Sequence, residues 1–216
     1  MILILYFAII IVSVAADLYT KYLVQTSEVL VSGGTIDIIP GVLRFRLTYN
    51  TGAAMGMLSD NRWIFMIAST VAIIALVAGL AIYAKKISKL KGISFSLFIG
   101  GGIGNMVERI FNGDTLGEGA VTDFIDFCAF PEIWPWIFNV ADMCVCIGAG
   151  VFILAMILEM IDDYKKEKAG KAAAELSDSA CADDGCGDYC TAEEGSDEDC
   201  VTDTAEDEES ENHEAE

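Results

Sequence analysis

The sequence predicts an all-α membrane protein of four transmembrane helices, with a small β segment on the outer surface and a disordered acidic C-terminal tail. Three observations predict it. The chain is 54% hydrophobic over 216 residues, and its apolar residues gather into four runs close to the roughly 20 residues that cross a bilayer. The formal charge of −20 belongs to one end: Glu175 to Glu216 holds 18 Asp and Glu and no Lys or Arg, while the rest carries 15 acids against 13 bases. Between the first and second runs, "VLRFRLTY" alternates apolar and polar residues, the period of a strand with one apolar face.

The spans fall at about 2–24, 63–84, 92–110 and 137–159, inside a membrane domain of residues 1–168. The first run has an alternative reading as a cleaved signal peptide, since "VAAD" resembles a small-residue cleavage site. A signal peptide has basic residues ahead of its apolar stretch. None precede this one, and apolar residues continue past Asp17 to Val24, so the run reads as a retained span. Lys85, Lys86, Lys89 and Lys91 lie between spans two and three, and Lys165, Lys166, Lys168 and Lys171 follow span four. Clustered lysines mark the cytoplasmic side. Two crossings separate the clusters, so they agree, and both termini are expected in the cytoplasm. Segments 25–62 and 111–136 then lie outside.

In the first outer segment Leu43, Phe45, Leu47 and Tyr49 oppose Arg44, Arg46 and Thr48, with "TIDII" as a partner strand and Pro40-Gly41 as the turn. The β segment is expected over about 29–49, lying on the membrane with its arginines near lipid phosphates. Trp134 and Trp136 in the second outer segment suit an interfacial belt. The tail, residues 169–216, has too little apolar surface to offset its ordering entropy. It reads as a solubilising extension or an interaction tail. Its Cys181, Cys186, Cys190 and Cys200 match no zinc-knuckle spacing and face a reducing compartment. Cys144 and Cys146 pack as small hydrophobes, and with Cys128 they form no disulfide framework.

Ionisable groups within spans are costly, and each is a functional candidate. Asp142 lies five residues past Ile137, roughly 7–8 Å below the outer edge at about 1.5 Å per residue. Asn139, at i−3, is expected on the same helix face. Asp17 and Lys21 sit at i and i+4 near the outer end of span one, either as a self-neutralising pair or as part of a site. "GGGIGNMVERI" closes span three, with glycines for close helix approach and Asn105, Glu108 and Arg109 arriving at the same outer end. "YNTGAAMG" is turn chemistry after the strand. In "VTDFIDF", Asp123 or Asp126 is placed to face Asp142. Two close carboxylates share a proton, so one activates water while the other polarises a carbonyl. The single histidine, His213, lies in the tail, which removes histidine triads and zinc sites from the membrane body.

Five motifs now stand in order: "DLYTK" (17–21), "NTGAAMG" (50–56), "GGIGNMVER" (101–109), "VTDF" (121–124) and "FNVAD" (138–142). Together they closely resemble the bacterial lipoprotein signal peptidases, the type II signal peptidase family, over about residues 10–160. The resemblance implies a four-helix aspartic peptidase of the bacterial cytoplasmic membrane with an extracytoplasmic β-cradle. Such an enzyme removes signal peptides from prolipoproteins whose cysteine carries a diacylglyceryl group. By motif, the catalytic pair is Asp123 and Asp142. Asp17, Lys21, Asn50, Gly52, Asn105, Glu108, Arg109 and Asn139 match supporting or substrate-contacting positions. No metal or cofactor is implied. The expected partners are lipid-modified prolipoproteins and membrane lipids, not nucleic acid, and the chain is expected to be monomeric. This sequence departs from the family in reading "GNMVER" for "GNxxDR", in Met55 where an aromatic is common, in a lengthened link from Arg109 to Asp123, and in the acidic tail. The rival readings are an ion-coupled carrier and a non-catalytic binding or assembly protein. The polar residues gather at one membrane face rather than along a path, which disfavours the carrier.

Overall fold

The computed structural model describes residues 2–51, 62–113 and 119–183. Helix α1 spans Ile2–Gln25, a helical turn α2 follows at Glu28–Val31, and strands β1 (Ile36–Ile39) and β2 (Leu43–Asn50) form a hairpin. Helices α3 (Arg62–Tyr83) and α4 (Lys89–Phe111) come next, then strands β3 (Val121–Phe127) and β4 (Ile137–Phe138), then helix α5 (Val140–Asp183). Four helices, Ile2–Gln25, Trp63–Tyr83, Lys89–Phe111 and Val140–Lys171, are long and apolar enough to cross a membrane. Their outward residues suit lipid rather than water: Ile4, Ile11, Ile67, Ile74 and Ile153 are all exposed.

The membrane core joins Tyr6 and Ile10 of α1, Leu80 of α3, Ala84 just beyond it, and Ile99 of α4. Helix α4 is its central element, and its glycines show why. A Cβ at Gly100 would lie 2.6 Å from the Ser13 Cβ of α1, and one at Gly104 would lie 2.6 Å from Asp17 Oδ2. A Cβ at Gly101 would run into the Ala141 carbonyl of α5, and one at Gly102 would lie 3.0 Å from Ile73 of α3. Successive glycines thus face three different helices. Without a hydrophobic force between helices in lipid, such close backbone contact is what holds them together.

The sheet is antiparallel throughout, in the order β1-β2-β3-β4. Its first turn is the expected Pro40-Gly41, with the Val42 N–H donating to the Ile39 carbonyl at 2.9 Å. Gly41 has φ +73°, the left-handed conformation that the third residue of a type II turn requires. Leu43, Phe45 and Leu47 pack as expected against Val24, Leu30, Phe124 and Ile125, while Tyr49 is exposed. A bulge in β2 between Phe45 and Thr48 sets Thr48 opposite Asp123.

The structure corrects three boundaries. The expected β segment at 29–49 begins as helix: α2 covers Glu28–Val31, where Leu30 is buried against the sheet. The expected fourth span at 137 begins as strand: Ile137 and Phe138 pair with Asp126 and Ile125 before α5 opens at Val140. An apolar run does not distinguish strand from helix by itself. Third, the chain is helical through Asp183, where disorder was expected from 169. Alanine-rich sequence and an i,i+4 pair between Glu167 and Lys171 at 2.7 Å favour helix there. The chain divides into two compact units, Met1–Lys165 and Lys166–Glu216.

Replacement of Gly104 by Ala forces a methyl group against the Asp17 carboxylate and is expected to destabilise the protein by about 1–3 kcal/mol. Gly150 of α5 has nothing within 4 Å of an added Cβ, and Gly150→Ala is expected to gain up to about 1 kcal/mol. Thermal unfolding of both variants in detergent checks the opposed signs.

Candidate functional site

Three helix ends and the sheet meet at one end of the bundle: the C-terminal turns of α1 and α4, the N-terminus of α5, and β3. The start of α5 sets the geometry. Asn139 is its N-cap, not a residue on its face as its spacing from Asp142 suggested. The Asn139 Oδ1 accepts the Asp142 N–H at 3.0 Å, and Asp142 Oδ2 accepts the Asn139 N–H at 3.2 Å. This is a reciprocal capping box closed by an Asp. Asp142 is therefore in the first helical turn, about 3 Å along the axis from Val140. Carboxylates suit this position because the helix N-terminus carries partial positive charge.

The Asn139 side chain also donates through Nδ2, to Asp123 Oδ1 at 2.7 Å and to Asn105 Oδ1 at 3.0 Å. It is fully buried. Asn105 donates to Asp142 Oδ1 at 2.8 Å, and its Oδ1 also accepts from Lys21 Nζ at 3.0 Å. Asn50 donates to Asp123 Oδ2 at 3.0 Å. Asp123 and Asp142 thus share Asn139 as a common neighbour, and each is held by a second amide from a different element.

Lys21 and Asp17 form the intrahelical pair expected from their spacing, Nζ to Oδ2 at 2.7 Å, with Asp17 wholly buried and Lys21 only 1% exposed. Each also works beyond α1. Asp17 Oδ1 accepts the Ala141 N–H at 2.8 Å, satisfying another free donor at the start of α5. Lys21 bridges to Glu108 Oε2 at 3.0 Å. Glu108 accepts from the Thr122 N–H at 2.8 Å, the Thr122 hydroxyl at 2.7 Å and Gln25 Nε2 at 3.2 Å. Arg109 stacks over the Phe65 ring, 5.1 Å from its centroid, and donates to the Asn105 carbonyl at 3.4 Å. Gly52 and Met55 lie outside the described residues.

Asp126 goes elsewhere. Residues three apart on a strand point to opposite faces, and Asp126 pairs with Arg44 Nε at 2.8 Å and Arg46 Nε at 3.8 Å. The hydrogen bond and charge of Asp126 raise the Arg44 pKa. Those two arginines therefore serve an internal partner. Sequence reasoning missed Gln25 and Thr122. Gln25 had a signal: Ser13, Asp17, Lys21 and Gln25 recur every four residues along α1, the period of one helix face. Thr122 stands within the quoted "VTDF", but nothing in the sequence assigns its side chain a partner. Among the described residues, no three His, Cys, Asp or Glu side chains converge as metal ligands would.

Asp123 is 4% exposed. Burial, more than the neighbouring charge of Asp142, pushes its carboxyl up to about 6, against the hydrogen bonds of Asn50 and Asn139 and the charge of Lys21.

These features define a polytopic membrane protein whose polar site is enclosed at one end of its helices. The chain belongs to the signal peptidase II family: the profile described as Signal peptidase (SPase) II matches residues 9–158. It is similar to the lipoprotein signal peptidase of Symbiobacterium thermophilum, with 38% identity over 151 residues, 68% of this chain and 91% of that one. The lipoprotein signal peptidase of Halalkalibacterium halodurans is 33% identical over 169 residues, 78% of this chain and 99% of that one. Two solved structures resemble the fold, both described as bacterial membrane enzymes determined by the in meso method. The one at 2.3 Å resolution is 30% identical with a TM-score of 0.60, covering 72% of this chain and 88% of that one. The one at 1.9 Å is 31% identical with a TM-score of 0.58, covering 70% and 91%. The protein is therefore a multi-pass membrane protease of this family, in agreement with the resemblance carried by its five motifs.

A carboxyl whose folded pKa lies above its unfolded value adds stability below the unfolded value and loses it as pH rises through the folded one. For Asp123 the window runs from 3.8 to about 6, and the loss is at most about 3 kcal/mol. The melting temperature of Asp123→Asn, measured against wild type, is expected to gain steadily between pH 4 and pH 7 and to level off above. Paired melts across that range check the sign.

Proposed function

We propose that the protein is an aspartic endopeptidase that cleaves the signal peptide from diacylglyceryl-modified prolipoproteins, just before the lipidated cysteine. Asp123 and Asp142 are its catalytic pair. The observation that carries this reading is Asn139, whose side-chain amide donates to the Asp123 carboxyl while its backbone N–H donates to that of Asp142. At intermediate pH the pair shares one proton. Asp123, raised by burial, holds that proton toward the scissile carbonyl oxygen, and Asp142 takes a proton from the attacking water. The resulting tetrahedral diol collapses when a proton passes to the leaving amide nitrogen, which breaks the C–N bond and releases a carboxyl and an amine. The pair ends with one proton, as it began.

The supporting residues hold this pair. Asn50 and Asn139 fix Asp123, and Asn105 fixes Asp142. Asp17 anchors the start of α5, and Lys21 pairs with both Asp17 and Glu108. Gly52 and Arg109 are assigned to substrate contact by motif. Activity is assigned to residues 1–168, acting as a monomer, with the acidic residues 169–216 outside the reaction. The lysine clusters at 85–91 and 165–171 orient the chain in the bacterial cytoplasmic membrane with both termini in the cytoplasm. The catalytic pair then lies near the outer leaflet. There the substrate's acyl chains stay in lipid while its peptide reaches the aspartates.

The test is cleavage of a diacylglyceryl-modified prolipoprotein peptide in detergent, with an unlipidated peptide alongside. Asp123→Asn and Asp142→Asn are each expected to lower turnover by about 10³-fold or more, with the fold intact. Asp126→Asn is expected to retain most activity. Turnover that survives in either of the first two, or that ignores the lipid, refutes the assignment.

A further inference from the structure

Two side chains that the catalytic pair and its supporting residues leave unassigned, Gln25 of α1 and Thr122 of β3, meet beside Asp123. Thr122 is wholly buried. Its hydroxyl donates to Glu108 Oε1 at 2.7 Å and accepts from Gln25 Nε2 at 2.6 Å. Its backbone N–H donates to Glu108 Oε2 at 2.8 Å. The Glu108 carboxylate therefore grips one residue of β3 with both oxygens, from the last turns of α4. Gln25, the last residue of α1, closes the triangle by donating to Glu108 Oε1 at 3.2 Å. Lys21 supplies the counter-charge at 3.0 Å.

The sheet gives β3 two neighbours, yet neither fixes it against the helices. Strand β4 pairs only with Ile125 and Asp126. Strand β2 is bulged opposite Phe124, one residue past Asp123. The grip on Thr122 is a polar tie between β3 and the membrane helices, one residue before Asp123. Asp142 is fixed to those same helices through Asn105 of α4 at 2.8 Å. The distance between the two carboxyl groups therefore depends on how firmly β3 is held to α4, as well as on Asn139, which bonds to both.

We infer that Thr122 and Gln25 are positioning residues, which with Glu108 lock β3 onto α1 and α4 and so set Asp123 at its working distance from Asp142. The inference rests on the proposed aspartate pair. Neither residue touches the reacting atoms. Their removal loosens the geometry of the pair without removing a catalytic group or a substrate contact, and a misplacement of about 1 Å can slow a reaction by about 100-fold.

The full chain in detergent, assayed on the diacylglyceryl-modified peptide, tests this with Thr122→Val, Thr122→Ser, Gln25→Leu and Asp123→Asn. Val is close in shape to Thr and favours strand, but it lacks the hydroxyl. Thr122→Val is expected to lower kcat by about 10- to 100-fold with KM within about twofold, and Thr122→Ser to restore kcat to within about threefold of wild type. Gln25→Leu leaves the strand untouched and is expected to lower kcat by about threefold or more. It decides the matter if Thr122→Val fails to fold. Unchanged kcat in Gln25→Leu and in folded Thr122→Val overturns the inference, as does a loss that appears in KM or that Ser does not restore. The Asp123→Asn arm separates the two readings. If Asp123→Asn is inactive while Thr122→Val is unaffected, only the positioning role falls. If Asp123→Asn keeps wild-type turnover, the aspartate pair falls, and this inference with it.

Discussion

The ammonium of Lys21 sits between Asp17 at 2.7 Å, Glu108 at 3.0 Å and the Asn105 amide oxygen at 3.0 Å, and the polar end of the bundle is arranged around it. Taking a carboxylate out of water costs several kcal/mol unless it is paired and hydrogen-bonded. Asp17 and Glu108 are both buried, and this cation lies within 3 Å of each. With Lys21 in place, each carboxylate also accepts a backbone N–H, Asp17 on its other oxygen and Glu108 on the same Oε2 that meets the lysine. Asp17 takes the Ala141 N–H of α5, and Glu108 takes the Thr122 N–H of β3. One buried ion network therefore fixes both elements that carry Asp123 and Asp142.

The remaining constraint is steric. Asp17 reaches Ala141 across α4 only because Gly101 and Gly104 keep their side of that helix bare. A side chain at either would occupy the space of the Ala141 carbonyl or of Asp17 itself. Glycine, inexpensive in lipid when the backbones close up, is here the condition for the charge network. The packing of the helices and the chemistry of the site are the same contacts viewed from two sides.

Much of this was legible from residue order. The four helices followed from span length, the hairpin from alternation and from Pro40-Gly41, and Asp17, Lys21, Asn105, Asn139 and Asp142 from being polar where lipid makes polarity expensive. What was not legible depended on contacts between distant segments. Ile137 and Phe138 are as apolar as a helix start, and only pairing with Asp126 and Ile125 makes them strand. Asn139 and Asp142 at i and i+3 fit a shared helix face as well as a capping box, and the difference is where the helix begins. The motif favoured Asp123 over Asp126, but the salt bridge that holds Asp126 needed the facing strand, which sets Arg44 opposite it. Thr122 reads as an ordinary strand residue until Glu108 and Gln25 are brought to it.

The pairing of β2 with β3 joins Asn50 to Val121, with helices α3 and α4 lying between them in the chain. As the chain is made, β2 has only β1 beside it until both of those helices have been threaded and turned back. Asn139 and Asp142 follow later still, on the last helix. Closing so long a loop has an entropic cost that only the completed contacts offset. Asp17 and Lys21 are thus the first pieces of the site to emerge, Asn50 follows, and Asp142 is the last. Until the start of α5 has been made, the chain carries scattered polar residues and no assembled site.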